Sequence, residues 1–171
     1  LFTLGSGYLQ VRGSLEEHLY DSLQNESYAR LPANVTAEKF AERKAKWGTY
    51  VPGIYGNHPN LNRQLINLPW FLGLCPYVDG EKLDLERCNI SSYTRSLNLH
   101  EAILSRTFTW QTKSNVKLDI KYERFVSIDC PNLSVQKLEI KTDKDCKLIL
   151  HSDINADVRT NGFDHFRDIK P

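Results

Sequence analysis

The sequence predicts an all-β fold built as an antiparallel β-sandwich. Three observations support this. Polar and apolar residues alternate strictly along the start of Val116–Ile128, which is typical of a half-buried strand. From Tyr93 to Ser152 such segments follow one another across short turns, which favours antiparallel pairing. Thr36–Trp47 is the best helix candidate, and at most one short helix accompanies the sheets.

The N-terminal quarter predicts one strand and this helix. Gly5 and Gly7 form a turn that leads into a short strand over Tyr8–Arg12. Thr36 is a suitable N-cap, apolar residues at helical spacing follow it, and Gly48 is a plausible stop.

The middle of the chain mixes short strands with turns. Tyr50–Tyr55 reads as a short strand with a Pro-Gly turn inside it, and Gly56–Asn60 reads as a loop. The most apolar run, Leu65–Val78, contains two prolines and is shorter than the roughly 20 residues needed to cross a bilayer. We therefore expect no membrane partner.

The last eighty residues predict two hairpins around the long strand. Tyr93–Leu99 and Ile103–Trp110 form the first, with a turn at residues 100–102. Val135–Thr142 and Cys146–Ser152 form the second, with Asp143–Asp145 as its turn.

The alternation in Val116–Ile128 breaks at Arg124. A strand that continued undisturbed would place Arg124 on the apolar face and Phe125 on the wet face. Either a β-bulge near Glu123 resets the register, or Arg124 is a buried cation that needs a carboxylate partner. The residues alone leave both alternatives open.

Composition narrows the function classes. The chain has 171 residues and a net charge of +1, which suits one domain or a large piece of one and gives no basic surface for nucleic acid. The four cysteines lack CxxC spacing, and no signal peptide is visible, so we expect free thiols and a cytoplasmic location. Four Asn-x-Ser/Thr sequons, at Asn25, Asn34, Asn89 and Asn132, argue weakly the other way.

Few residues have a pattern typical of catalysis. The five histidines form no pairs at metal-ligand spacing, so we expect no metal. Gln10 stands where a dinucleotide fingerprint beginning at Gly5 would need its third glycine, so we expect no cofactor. Glu16 and Glu17 are adjacent carboxylates, and a solvated or ion-paired role suits them better than acid–base catalysis. Trp47, Trp70 and Trp110 could stack on sugar rings, although core packing is the commoner role of such residues.

Several blocks in order nevertheless resemble the N-terminal domain of glycoside hydrolase family 65. That family includes maltose, kojibiose, nigerose and trehalose phosphorylases and some related hydrolases, so the resemblance leaves phosphorolysis and hydrolysis both open. The blocks span nearly the whole chain and are Gly5–Glu17, Gly48–Tyr55, Leu65–Leu72, Tyr93–Trp110, Tyr122–Asp129 and Asp157–Phe166. One departure is Ala102, which stands where the family hairpin has a turn glycine. Losing that glycine should disfavour a left-handed residue, so we expect a different turn.

The resemblance implies a galactose-mutarotase-like β super-sandwich, truncated here, that precedes a catalytic (α/α)6 barrel. Residues 1–171 would be a partial N-terminal domain without catalytic residues, and the barrel outside this chain would cleave α-glucosidic disaccharides with inversion. Inorganic phosphate would be the co-substrate if the parent is a phosphorylase. The expected partners are the barrel, an oligosaccharide substrate and a second subunit. Arg12, Tyr50, Asn67 and Trp70 are the residues expected to face the barrel or substrate.

Two other functions remain open from the sequence. A free-standing carbohydrate-binding β-sandwich would use exposed tryptophans, and a structural interaction domain would use the run Leu65–Val78 as a partner surface.

Overall fold

The computed structural model describes residues 2–17, 47–59, 61–156, 158–160, 163 and 165–166. These residues contain twelve strands and no helix. The strands are β1 Thr3–Gly5, β2 Gln10–Arg12, β3 Thr49–Tyr50, β4 Tyr55–His58, β5 Asn62–Leu65, β6 Trp70–Val78, β7 Glu81–Lys82, β8 Asn89–Asn98, β9 Ile103–Gln111, β10 Lys117–Val126, β11 Ser134–Thr142 and β12 Leu148–Asn155. The all-β prediction is therefore confirmed. The helix expected over Thr36–Trp47 lies outside the described residues except for Trp47, which precedes β3.

All strand pairs in the described residues are antiparallel, and they form four sheets. The largest has the order β11-β10-β9-β8, and a three-stranded sheet has the order β12-β6-β7. Two smaller sheets have the orders β1-β2-β3 and β4-β5. Within the residues that the structure describes, no helix is long and apolar enough to span a bilayer.

The main core lies between the two larger sheets. Alternate residues of β9 and β10 point inward, and Trp110 and Leu118 are completely buried against Val78 and Leu83. Burying each such side chain contributes about 1.5–3 kcal/mol. A second cluster, around Val11, Trp47 and Trp70, joins the β1-β2-β3 sheet to the start of β6. β6 therefore contributes to both clusters.

Pairing between strands that are distant in sequence corrects part of the prediction. The hairpin of Val135–Thr142 with Cys146–Ser152 is wrong, because β11 pairs with β10 whereas β12 crosses to the other sheet and pairs with β6. The hairpin of β8 with β9 and the long strand β10 are confirmed.

The N-terminal expectations also need correction. The strand predicted over Tyr8–Arg12 is shorter, and β1 was missed although it pairs with β2. The loop predicted over Gly56–Asn60 is largely strand β4, because pairing with β5 outweighs its turn-rich composition. All four cysteines are free thiols, which confirms that expectation.

Candidate functional site

The site is a buried group of charges around the segment that follows β2. Glu16 and Glu17 are 4% and 1% exposed. The backbone N–H of Leu74, in β6, donates to the carbonyl of Glu16 at 3.1 Å. This bond holds the segment alongside β6, and both carboxylates contact arginines of the four-stranded sheet.

Arg106 on β9 binds both carboxylates. Its Nη1 donates to Glu17 Oε1 at 2.6 Å, and its Nη2 donates to Glu16 Oε2 at 2.7 Å and to Glu17 Oε2 at 2.5 Å. The guanidinium also lies over the ring of Tyr122, 4.4 Å from its centroid. Burial alone lowers the pKa of Arg106, but the adjacent Glu17 and Glu16 outweigh burial and raise it.

Arg124 on β10 is the second cation of this group. The register of β10 with β9 and β11 runs through residue 124 without a shift, so no bulge forms there. Arg124 is 2% exposed, and its Nη1 lies 3.5 Å from Glu16 Oε1. The prediction of a buried, paired Arg124 is confirmed, and the bulge alternative is wrong.

Backbone carbonyls supply most of the hydrogen bonding to Arg124. Its Nη2 donates to the carbonyl of Ser14 at 2.5 Å and to that of Arg12 at 3.3 Å. Burial lowers the pKa of Arg124, and Glu16 opposes this only in part. Arg124 is thus less well compensated than Arg106.

These four charges connect the segment after β2 to strands β9 and β10. Two carboxylates balance two guanidiniums, which is the condition under which buried charges are tolerated. A glycosidase pair needs two carboxyl groups on opposite sides of a sugar, separated by at least about 5 Å. Glu16 and Glu17 instead share one guanidinium and are closed to solvent. The ion-paired interpretation of Glu16 and Glu17 is confirmed.

Two of the four residues expected to face the barrel are partly exposed. Arg12 ends β2, and its N–H donates to the carbonyl of Gly48 at 2.8 Å. Tyr50, on β3, lies opposite Gln10. Burial raises the pKa of the Tyr50 phenol, and the nearby Arg12 guanidinium partly opposes this.

The other two residues are in the interior. The Asn67 side chain accepts from the N–H of Thr49 at 2.9 Å and donates to the carbonyl of Trp47 at 3.2 Å. Its own N–H donates to Thr160 Oγ1 at 2.8 Å. Trp70 is completely buried, stacks on Trp47 with 6.1 Å between centroids, and lies 5.4 Å from the guanidinium carbon of Arg124. Arg12, Tyr50 and Trp70 therefore lie in β2, β3 and the first position of β6, and Asn67 lies just before β6.

The three tryptophans are core residues. Trp47 is 5% exposed, and Trp70 and Trp110 are fully buried. The core interpretation is confirmed, and the exposed aromatic surface that motivated a free-standing carbohydrate-binding module is not formed by these residues.

Sequence reasoning missed Arg106. It occupies an inward position of β9, between the buried Leu104 and Phe108. The period-two alternation that singled out Arg124 applies equally there and could have found it. In the described part of the chain, no group of three or more His, Cys, Asp or Glu side chains is placed to hold a metal ion.

Comparisons with known proteins give one consistent family. Residues 1–170 match the model described as glycosyl hydrolase family 65, N-terminal domain. A kojibiose phosphorylase of Halothermothrix orenii is 26% identical over 97% of this chain and 18% of its own length. A maltose phosphorylase of Bacillus subtilis is 30% identical over 75% of this chain and 15% of its own.

Solved structures agree on the fold. A structure from the human microbiome that bears the name kojibiose phosphorylase superposes with a TM-score of 0.74 at 22% identity, over 95% of this chain and 20% of that one. The chain thus spans about a fifth of the length of the proteins that it matches.

Proposed function

Because the chain belongs to glycosyl hydrolase family 65, as its N-terminal domain, we propose that it is the non-catalytic N-terminal part of a disaccharide phosphorylase. The observations that carry this proposal are the family match over residues 1–170 and relatives of whose own length the chain spans only 15–20%. The parent enzyme would cleave an α-glucosidic disaccharide with inorganic phosphate.

The buried charges support a scaffold role for these residues. Glu16 and Glu17 are bound to Arg106, so neither is placed to protonate a glycosidic oxygen or to activate a nucleophile. The general acid would lie in an (α/α)6 barrel outside this chain. Phosphate would be the co-substrate there, and this domain would hold no cofactor.

We place the barrel-facing side at β2 and β3. Arg12 and Tyr50 would contact the barrel, whereas the buried Asn67 and Trp70 would hold β3 and β6 beneath them. A homodimeric parent is part of the same proposal. The free thiols favour a reducing compartment such as the cytoplasm.

The test begins with the coding sequence downstream of Pro171. It should continue into several hundred residues of helical barrel, and a stop codon soon after Pro171 would contradict the proposal. The full-length protein should release glucose 1-phosphate from at least one of maltose, kojibiose, nigerose and trehalose when phosphate is present. The 171-residue chain alone should release neither glucose nor glucose 1-phosphate from any of them.

A matched pair of variants tests the barrel-facing side. In the full-length protein, Arg12→Ala should lower phosphorolysis or weaken the association of the two domains. Lys137→Ala, at an exposed position of β11 in a different sheet, also removes one positive charge and should change neither. Equal behaviour of the two variants would remove Arg12 from the interface.

A further inference from the structure

Exposed apolar side chains lie together at one end of the four-stranded sheet. The β8–β9 turn and the β10–β11 loop share this end, because Leu104 near the start of β9 pairs with Arg124 near the end of β10. Leu99 on the turn is 85% exposed, and Ile128 and Leu133 on the loop are 76% and 48% exposed. Single exposed apolar residues are ordinary, whereas several in one place mark an interaction site. We call these three side chains the apolar end.

The β10–β11 loop is closed by its own hydrogen bonds. The N–H of Ser127 donates to the carbonyl of Leu133 at 2.9 Å, and the N–H of Leu133 donates to the carbonyl of Cys130 at 2.8 Å. Ser127 Oγ accepts from the N–H of Cys130 at 3.0 Å. Ile128 is therefore presented to solvent from a loop of defined shape. A contact made from such a loop requires little further ordering of the chain.

The opposite end of the same sheet is built differently, and we call it the polar end. There Glu81 Oε2 accepts from the N–H of Lys113 at 2.7 Å, and Asp143 Oδ1 accepts from the N–H of Lys117 at 2.9 Å. Val116, the apolar side chain of the β9–β10 turn, is 2% exposed. Exposed apolar residues are therefore not a general feature of the turns of this sheet.

The apolar end adjoins the barrel-facing side proposed above. Ser6 Oγ, in the β1–β2 turn, donates to the carbonyl of Pro131 in the β10–β11 loop at 2.6 Å. Tyr8, in the same turn, is 51% exposed. The carbonyl of Arg12, which ends β2, accepts from Arg124 Nη2 near the end of β10 at 3.3 Å. The β1-β2-β3 sheet and the apolar end therefore lie side by side.

We propose that the apolar end is an interaction surface that contacts the helical barrel of the parent protein. This inference rests on the proposed function, which supplies the barrel. The position of the surface selects this occupant, because the apolar end continues the side that carries Arg12 and Tyr50. Length also favours it, since this chain corresponds to only 18% of the matched kojibiose phosphorylase. Apolar side chains of the barrel cover Ile128, with Leu99 and Leu133 beside it.

Two lysine substitutions in the full-length protein test the contact. Ile128→Lys should lower Tm by several degrees, because its charge would be buried against apolar side chains of the barrel. Thr94→Lys is the control, since Thr94 is exposed on β8 of the same sheet, away from this end. Substitutions at exposed positions usually have little effect on stability. Equal, small Tm shifts for the two variants would therefore overturn the proposal.

The thiol of Cys130 gives an independent readout. Cys130 is exposed in the same loop, so the barrel should shield it from maleimide in the full-length protein. Lys113→Cys, at the polar end, supplies an exposed reference thiol in the same molecule. With each rate divided by that of the same thiol in urea, Cys130 should react several-fold more slowly than the reference. Ile128→Lys should bring the two rates together, and equal rates without that substitution would contradict the contact.

A second copy of the parent protein is the competing occupant. In that case the shielding of Cys130 would increase with protein concentration, and Ile128→Lys would dissociate the dimer. That outcome would overturn the contact with the barrel. Phosphorolysis measured on the same samples separates the two failures. An active enzyme whose Cys130 reacts as fast as the reference contradicts only this inference, whereas no phosphorolysis with any of the four disaccharides contradicts the proposed function.

Discussion

The two buried arginines differ in how fully their charge is compensated. Arg106 makes three hydrogen bonds to carboxylates, whereas Arg124 has one ion pair at 3.5 Å and relies on backbone carbonyls. Removing one partner of a buried ion pair is costly because the other charge remains buried. Replacing Arg106 and replacing Arg124 should therefore lower the free energy of unfolding by different amounts.

We expect Arg106→Met to lower the free energy of unfolding by about 3–5 kcal/mol, because it leaves Glu16 and Glu17 buried without their main cation. Arg124→Met should cost less, since it removes a charge that burial already disfavours. Lys137→Met is the control, because its pair with Glu139 is solvent-exposed and pairs of that kind contribute at most about 1 kcal/mol. Urea unfolding checks the order, and a larger loss for Arg124→Met would contradict it.

The buried thiol of Cys75 should make the free energy of unfolding fall as the pH rises above 9. Burial raises the pKa of its thiol from an ordinary 9.0 to about 12. Because the folded state holds this proton more tightly, the contribution is fully present below pH 9 and is lost as the pH rises toward 12. Cys75→Ala should reduce the fall in urea midpoint between pH 8 and pH 10.5, whereas Cys130→Ala, at an exposed site, should not. Identical pH profiles for the two variants would exclude Cys75 as a cause.

At the scale of elements, the β8–β9 hairpin keeps a left-handed residue without glycine. Ala102 has a φ of 54°, so this position is left-handed although the loss of glycine was expected to disfavour that conformation. Asn98 compensates: its side-chain oxygen accepts from the N–H groups of His100 and Glu101 at 3.0 and 3.2 Å, and its amide donates to the Glu101 carboxylate at 2.8 Å. Local hydrogen bonds thus hold a conformation that alanine disfavours.

Ala102→Gly should therefore raise the free energy of unfolding by about 0.5–1 kcal/mol, because relief of the left-handed strain exceeds the added chain entropy. Gly80→Ala is the reverse experiment. Gly80 has a φ of 85° and open space where an added Cβ would lie, so only backbone strain should act there and stability should fall by about 1 kcal/mol. Thermal unfolding of both variants checks the two signs, and a destabilised Ala102→Gly would contradict the account.

Local pattern predicted the elements whose partners are sequence neighbours. β9 and β10 follow from alternation and a short turn, and the same alternation placed Arg124 on the apolar face. β12 was assigned to β11 because a turn signal at Asp143–Asp145 favours the nearest strand, whereas its actual partner β6 is distant in sequence. The bonds of Glu16 and Glu17 to Arg106 also join residues about ninety positions apart. No local pattern specifies contacts of that kind.

At the scale of the whole molecule, the indole rings are directed inward and not toward a ligand. All three tryptophans are at most 5% exposed. Titration of the 171-residue chain with maltose or kojibiose should leave its Trp fluorescence unchanged, and acrylamide should quench that fluorescence weakly until urea unfolds the protein. Saturable binding of either sugar would instead support a carbohydrate-binding module.

The crossing from β11 to β12 also has a consequence during synthesis. Leu148 pairs with Val78 and Asp153 pairs with Gly73, so β6 acquires this neighbour only after seventy to eighty further residues have been made. Pairing of such high contact order forms slowly. A nascent chain that has emerged only as far as β11 still exposes the edge of β6 that β12 will pair with. We expect a chaperone to bind this unpaired edge during that interval.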